Sequence, residues 1–287
     1  MNQKKWFNEE LDDQIFDVGA RTSIQIKDTL FEGQSPYQKL EIVNTHSFGK
    51  MMLLDDCIML TEAFEFAYHE MITHVPLFAH PNPKRVLIIG GGDGGTAREV
   101  LRHSQVEHCV MVEIDELVVE KSREFFPDIA SELDNPRLEL RIEDGLQYIV
   151  NQKEVFDVIL IDSTDPVGPA EGLFSRQFYA NCFQALQSDG LLSAQAESPF
   201  YFQKTQKELF SILQDLFPIS QLYLSQIPFY PSGTWSFAFA SKKWNPFEKR
   251  REQDIQQLEP RLAYFNAALG RAVFALPTFI KKNLEMG

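Results

Sequence analysis

The apolar run Val86-Leu87-Ile88-Ile89, followed at once by Gly90-Gly91-Gly92-Asp93-Gly94-Gly95, constrains the fold of this chain more than any other stretch. Four consecutive apolar residues read as a strand buried on both faces. Thr96 to His103 then carries a helical pattern. This strand, glycine turn and helix begin an alternation that the chain sustains. Cys109 to Glu113, Leu138 to Ile142, Phe156 to Ile161 and Leu191 to Gln195 read as further strands. Glu116 to Phe126 and Gln177 to Leu186 read as helices between them. Such alternation predicts an α/β fold with a mostly parallel sheet covered by helices on both faces. Leu222 to Ile227 and Trp235 to Ser241 read as later strands closing the sheet around Tyr230-Pro231-Ser232-Gly233, and Arg250 to Leu284 as a helical, charged tail.

Ahead of this region the rhythm differs. Ser23 to Lys27 and Gln38 to Val43 alternate polar and apolar, and Met51 to Leu54 and Ile58 to Leu60 are short apolar runs split by Asp55-Asp56. Turn residues at Gly33, Ser35-Pro36 and Gly49 punctuate them, which predicts antiparallel hairpins. From Thr61-Glu62 a helical pattern opens with Phe64, Ala67, Met71, Val75 and Phe78; Pro76 is expected to kink or divide it, and Pro81-Asn82-Pro83 to end it.

The net charge of −14 disfavours nucleic acid and anionic membrane as partners, because Lys and Arg hold both. It is compatible with a polycationic ligand. Cys57, Cys109 and Cys182 show no CxxC or Cys/His spacing, so they read as free thiols in a reducing compartment, and no metal site is expected. The amino terminus lacks an apolar signal core, and no apolar run approaches the ~20 residues of a membrane helix, so a cytoplasmic protein is expected.

Gly90-x-Gly92-x-x-Gly95 satisfies the dinucleotide fingerprint between a strand and a helix, and Glu113 ends the next strand, where an acid can hold a ribose. Asp93 decides which adenosine-like ligand fits. A carboxylate in that loop would repel a pyrophosphate by a few kcal/mol per like-charge pair at ~4–6 Å. A sulfonium nucleoside reverses the sign. Asp144-Gly145 ends the third strand, where it fits an adenine amino group or an ordinary turn; both readings stand. Asp162-Ser163-Thr164-Asp165-Pro166-Val167-Gly168-Pro169 follows the fourth strand and puts two carboxylates where ligands bind in open α/β sheets. Asp162 can also cap its loop, as Asp often does. Two carboxylates there suggest a cationic substrate.

These motifs together, with Tyr68-His69-Glu70-Met71, His74-Val75-Pro76, Tyr230-Pro231-Ser232-Gly233 and Ala275-Leu276-Pro277, resemble the spermidine synthases, the polyamine aminopropyltransferases. The resemblance spans roughly residues 36 to 280. It implies a Rossmann-like, methyltransferase-type doubly wound sheet with a small amino-terminal antiparallel β-domain, divided as 1–62 and 63–287. It implies a homodimer, with a homotetramer left open. The implied reaction moves an aminopropyl group from decarboxylated S-adenosylmethionine, a co-substrate, to putrescine, yielding spermidine and methylthioadenosine without a cofactor or metal. By the same resemblance Gln38, Asp93, Glu113, Asp144, Gly145 and Pro169 would hold the donor, Asp93 by its amine. Tyr68, His69, Asp93, Asp162, Ser163, Thr164, Asp165 and Tyr230 would border the polyamine, with Gln195 and Trp235 as further walls and Asp162 as the catalytic base. Two departures stand out. Ala63-Phe64 replaces a basic–acidic pair, and Tyr264 to Ala268 lacks the usual Asn-Pro.

The rival readings are an N-methyltransferase, whose donor carboxylate Asp93 would repel, an aminopropyltransferase for cadaverine, agmatine or spermidine, and a silent polyamine-binding protein. A dehydrogenase fits least, for the Asp93 reason.

Overall fold

Two sheets meet at one crevice. The computed structural model describes residues 4–11, 17–166, 168–248 and 250–286. The first sheet is antiparallel and joins β1 (Lys5–Leu11), β2 (Ala20–Gln34), β3 (Lys39–Thr45), β4 (Lys50–Leu54) and β5 (Cys57–Thr61) in sequence order. Asp55 and Asp56 form the β4–β5 turn with φ of 47° and 63°, the left-handed geometry that a two-residue hairpin requires.

The chain then enters α1 (Phe66–Ala79), later than the expected start at Thr61-Glu62. Thr61 is still paired with Met51 in the β4–β5 ladder, so the helix cannot begin there. Pro76 lies inside the helix, which neither divides nor ends until His80. Every residue of α1 from Ala67 to Ala79 is buried. The helix packs on the second sheet and against α2 (Gly95–Leu101), which follows β6 (Arg85–Gly90).

The remaining elements are β7 (His108–Glu113), α3 (Glu116–Phe125), β8 (Leu138–Ile142), α4 (Gly145–Val150), β9 (Phe156–Asp162), α5 (Arg176–Ala185), β10 (Leu186–Gln195), α6 (Gln203–Leu216), β11 (Ile219–Gln226) and β12 (Thr234–Ser241). The seven-stranded order is β11-β12-β10-β9-β6-β7-β8. Pairs among β8, β7, β6, β9 and β10 are parallel, whereas β12 runs antiparallel to both its neighbours. Alternate residues of β6 serve opposite faces. Val86 and Ile88 join the core under α1 and α2, while Leu87 and Ile89 join the core under α5 and α6. Each fully buried side chain of this kind contributes about 1.5–3 kcal/mol. A third apolar cluster, with Leu40, Ile42, Met52, Leu60, Phe126 and Ile129, ties the first sheet to the α3 side of the second.

The tail is not one helix. It breaks into α7 (Glu252–Leu258), α8 (Leu269–Ala272) and α9 (Thr278–Asn283), with Pro260 in the turn after α7 and Pro277 just ahead of α9. Proline lacks the N–H that a continuous helix needs.

Candidate active site

The sheet order reverses between β6 and β9, whose chains leave in opposite directions and open a crevice at their carboxyl ends. Gly90 pairs there with Asp162. Gly90 has φ +84°, and a Cβ on it would lie 2.1 Å from the Asp162 carbonyl oxygen. Only glycine lets the two strand ends approach this closely. The Gly91 N–H donates to that same oxygen at 2.9 Å.

A cavity occupies the crevice, with about 1040 Å³ of empty space when its open mouth is included. Its floor is the ends of β6, β7 and β9, including Asp93, Glu113, Asp162, Ser163 and Thr164, with Asp144, Gly145 and Pro169 beside them. Its roof comes from the first sheet, with Gln38, Met52 and Leu54, and Tyr68, His69 and Tyr230 close one end. A second, smaller cavity adjoins it, sharing Tyr68, Ser163, Thr164 and Tyr230 and adding Glu9, Asp165, Gln195 and Trp235. The structure thus gathers every residue that the resemblance assigns to the donor, the polyamine or the walls around two adjoining cavities. Val167 of the Asp162–Pro169 loop lies outside the described residues. Ala63 and Phe64 line neither cavity; Phe64 packs on Phe48 and Phe66 with ring centroids 5.8 and 6.1 Å apart.

At the large end, Glu113 accepts from the Gly92 N–H at 3.0 Å and the Asp115 N–H at 2.9 Å. Burial still pushes its carboxyl up to about 7. Gln38 is held by Asp115, whose Oδ2 accepts from Gln38 Nε2 at 2.9 Å and from the Ser35 hydroxyl at 2.7 Å. Asp144 caps α4 by accepting from the Leu146 N–H at 2.8 Å. Asp144 also lines the cavity.

At the narrow end two carboxylates face one another. Burial raises Asp162, and the Asp93 charge raises it further; the His69 cation and the Thr96 and Tyr68 hydroxyls pull it back. Asp162 Oδ2 and Ser163 Oγ are buried and make no hydrogen bond among the described residues, although both residues line the larger cavity. Burial also works against ionised Asp93, but the His69 cation outweighs it and holds Asp93 below the usual carboxylate range.

The second cavity is acidic and aromatic. Burial pushes Asp165 up to about 6, against a hydrogen bond from Glu197. Burial, then the Asp165 charge, pushes Glu9 up to about 8. Gln195 ties the wall together: its Nε2 donates to the Thr164 carbonyl at 3.2 Å and its Oε1 accepts from Trp235 Nε1 at 3.3 Å. Tyr230 stands at the junction, 4.8 Å from the Trp235 ring and 5.9 Å from the Tyr68 ring, and donates to the Met59 carbonyl at 2.8 Å. Sequence reasoning overlooked Glu9, Glu65 and Glu197, and gave Asp115 no role of its own. Glu65 stands one helical turn before His69, a spacing that could have flagged it. Glu9 has no local signal; only the folding of β1 over the crevice brings it there.

The chemistry these placements allow is the binding of cations: a cavity floored by Asp93, Glu113 and Asp162 adjoins a smaller acidic and aromatic one. Among the described residues no group of three or more His, Cys, Asp or Glu side chains is arranged to hold a metal ion. No described helix is long and apolar enough to cross a membrane.

Comparison with known proteins agrees with this arrangement. Residues 65–250 match the family model for the spermine/spermidine synthase domain, and residues 5–62 that for the spermidine synthase tetramerisation domain. The polyamine aminopropyltransferase of Alkaliphilus metalliredigens is 47% identical over 284 residues, covering 98% of each chain. That of Caldicellulosiruptor saccharolyticus is 47% identical over 280 residues, again 98% of each. A spermidine synthase crystallised with the transition state analogue AdoDATO is 40% identical, with a TM-score of 0.95 over 99% of this chain and 97% of that one. The spermidine synthase of Thermotoga maritima is also 40% identical, with a TM-score of 0.94 over 100% of this chain and 96% of that one.

Proposed function

The chain belongs to the spermine/spermidine synthase family, and from that premise we propose that it is a polyamine aminopropyltransferase moving the aminopropyl group of decarboxylated S-adenosylmethionine to putrescine. The products are spermidine and methylthioadenosine. One observation carries the reading: the larger cavity, which Asp162 lines, and the acidic second cavity adjoin at Tyr68, Ser163, Thr164 and Tyr230. Glu113 and Gln38 take the ribose end, with Asp144, Gly145 and Pro169 beside the base. Asp93 takes the ammonium of the aminopropyl arm, and Tyr68, His69, Asp165 and Tyr230 border the acceptor.

The reaction is a displacement at the carbon next to the sulfonium. A carbon–nitrogen bond forms, the carbon–sulfur bond breaks, and sulfur leaves as a neutral thioether with the electron pair. No acid is needed for that departure. The amine nucleophile is the obstacle, since freeing its lone pair at pH 7 costs ~4–5 kcal/mol for a lysine-like pKa. Asp162 accepts the proton, and its raised carboxyl makes it a stronger base than an ordinary aspartate. The sulfonium beside the amine lowers the amine's own pKa. Asp165 in the second cavity, with Glu9 beside it, holds the distal ammonium and fixes the nitrogen in line with carbon and sulfur. Tyr68, Tyr230 and Trp235 add cation–π attraction of ~0.5–2 kcal/mol each.

The Ala63-Phe64 departure lies outside both cavities and gives no ground for a different acceptor. The match of residues 5–62 to a tetramerisation domain supports assembly through the amino-terminal sheet, as a homodimer or homotetramer. The test is an acceptor panel with decarboxylated S-adenosylmethionine, read by methylthioadenosine release. Putrescine should give the highest kcat/KM. Faster turnover of agmatine, cadaverine or spermidine would replace it as acceptor, and no release with any amine would overturn the transferase reading.

A further inference from the structure

His69 is braced from below by a row of buried charges that the reaction itself never touches. Its Nδ1 meets Glu65, one turn earlier at the start of α1, in a hydrogen bond. Its Nε2 lies 3.3 Å from Asp93 Oδ1. Glu65 in turn receives Arg98 Nη2 on both oxygens, at 3.0 and 2.9 Å. Arg98 Nε donates to Glu99 at 2.8 Å, and Glu99 also meets His74 at 3.1 Å and Arg102 at 2.8 Å. The signs alternate along the row from Asp93 to Arg102. Glu65, His69 and Glu99 are all almost wholly buried.

Packing leaves His69 little room to move. A Cβ on Gly95 would come within 2.3 Å of the imidazole, so the ring lies flush on the α2 amino terminus. The Gly95 N–H donates to Asp93 Oδ1 at 2.6 Å, on the same oxygen that His69 faces. Both of these contacts of Asp93 fall on Oδ1, so Oδ2 is left for a ligand. We propose that Glu65 and Arg98 are positioning residues that fix His69 as a cationic prop behind Asp93, so that Asp93 presents its second oxygen to the ammonium of the aminopropyl donor.

The charged and titratable groups around the ring fit this role. Burial pushes His69 down, but Asp93 and Glu65 hold it well above an ordinary histidine. Tyr68 beside it and Asp162 across the cavity complete the set. A buried imidazolium between two carboxylates holds its charge less firmly if one carboxylate becomes an amide. Asp93 then has a weaker partner to orient it.

The inference rests on the aminopropyl-donor reading, and the test separates the two. Glu65→Gln keeps the shape and an acceptor for His69 but removes the charge. Calorimetry on purified wild type and variant uses decarboxylated S-adenosylmethionine and methylthioadenosine, which lacks the ammonium. The variant should bind the sulfonium donor about tenfold more weakly, while methylthioadenosine affinity stays within about twofold. Its His69 ring nitrogens should titrate at lower pH than those of the wild type by NMR. Arg98→Lys, which keeps the charge but loses the paired contact, should show a smaller loss in the same order and serves if Glu65→Gln does not fold. Equal losses for both ligands, or unchanged donor affinity, would overturn the positioning role. A wild type that binds neither nucleoside would overturn the donor reading, and the inference with it.

Discussion

Glu9 offers a direct measure of how far the acidity of the second cavity works against stability. It is 4% exposed, its Oε1 accepts the Ile58 N–H at 3.4 Å, and its Oε2 has no partner among the described residues. Burial and the Asp165 charge move its carboxyl from 4.5 to about 8. That rise, about 3.5 pH units at about 1.4 kcal/mol each, comes to about 5 kcal/mol for ionising Glu9 in the folded chain. The group is an acid whose folded pKa lies above its unfolded one. The folded chain therefore holds the extra proton between pH 4.5 and about 8, and stability falls as pH rises through that window. Glu9→Gln removes the titration and keeps the shape. Urea unfolding at fixed protein concentration should show the wild type losing about 3 kcal/mol relative to the variant between pH 5 and 7.5. Other carboxyls titrate in both proteins, so the difference between the two slopes isolates Glu9. Parallel slopes would refute the claim that Glu9 is buried as an acid.

Asp162→Asn should keep the fold and methylthioadenosine affinity but lose about 10²–10⁴ in turnover, the usual share of a general base; near-wild-type single-turnover rates would exclude Asp162 as base. Asp93→Ala should weaken decarboxylated S-adenosylmethionine binding well beyond methylthioadenosine binding, and calorimetry showing equal losses would remove the amine anchor. Gly90→Ala places a methyl group 2.1 Å from the Asp162 carbonyl at φ +84°. It should cost at least about 2 kcal/mol and most of the activity; if that variant proved stable and active in urea unfolding and turnover assays, the two strand ends must be free to separate.

The parallel sheet was legible because its strands are unbroken apolar runs that stop at glycine or acid, as at Ile89-Gly90 and Ile161-Asp162. The acidic floor of the larger cavity was legible for the same reason, since a strand end fixes where Asp93, Glu113 and Asp162 must lie. What escaped were elements without a signal of their own. β1 carries Glu9 on a short strand that only pairing with β2 defines. α6 begins after Phe202, which stands where a capping Ser, Thr, Asp or Asn would announce a helix. The tail was read as helical because its composition favours helix, while Pro260 and Pro277 break it into pieces. Glu65 and Glu197 act through neighbours that are adjacent only after folding, Arg98 in one case and Asp165 in the other.

Glu9, Ile58 and Met59 reach the second cavity from the amino-terminal sheet, whereas the carboxylates assigned to the transfer stand on the other one. Excising the first sixty-odd residues would therefore yield half an enzyme rather than a minimal one. The same division makes those hairpins a separate module for engineering, where a library of strand substitutions can vary the length and charge of accepted amines while the bond-making end stays untouched.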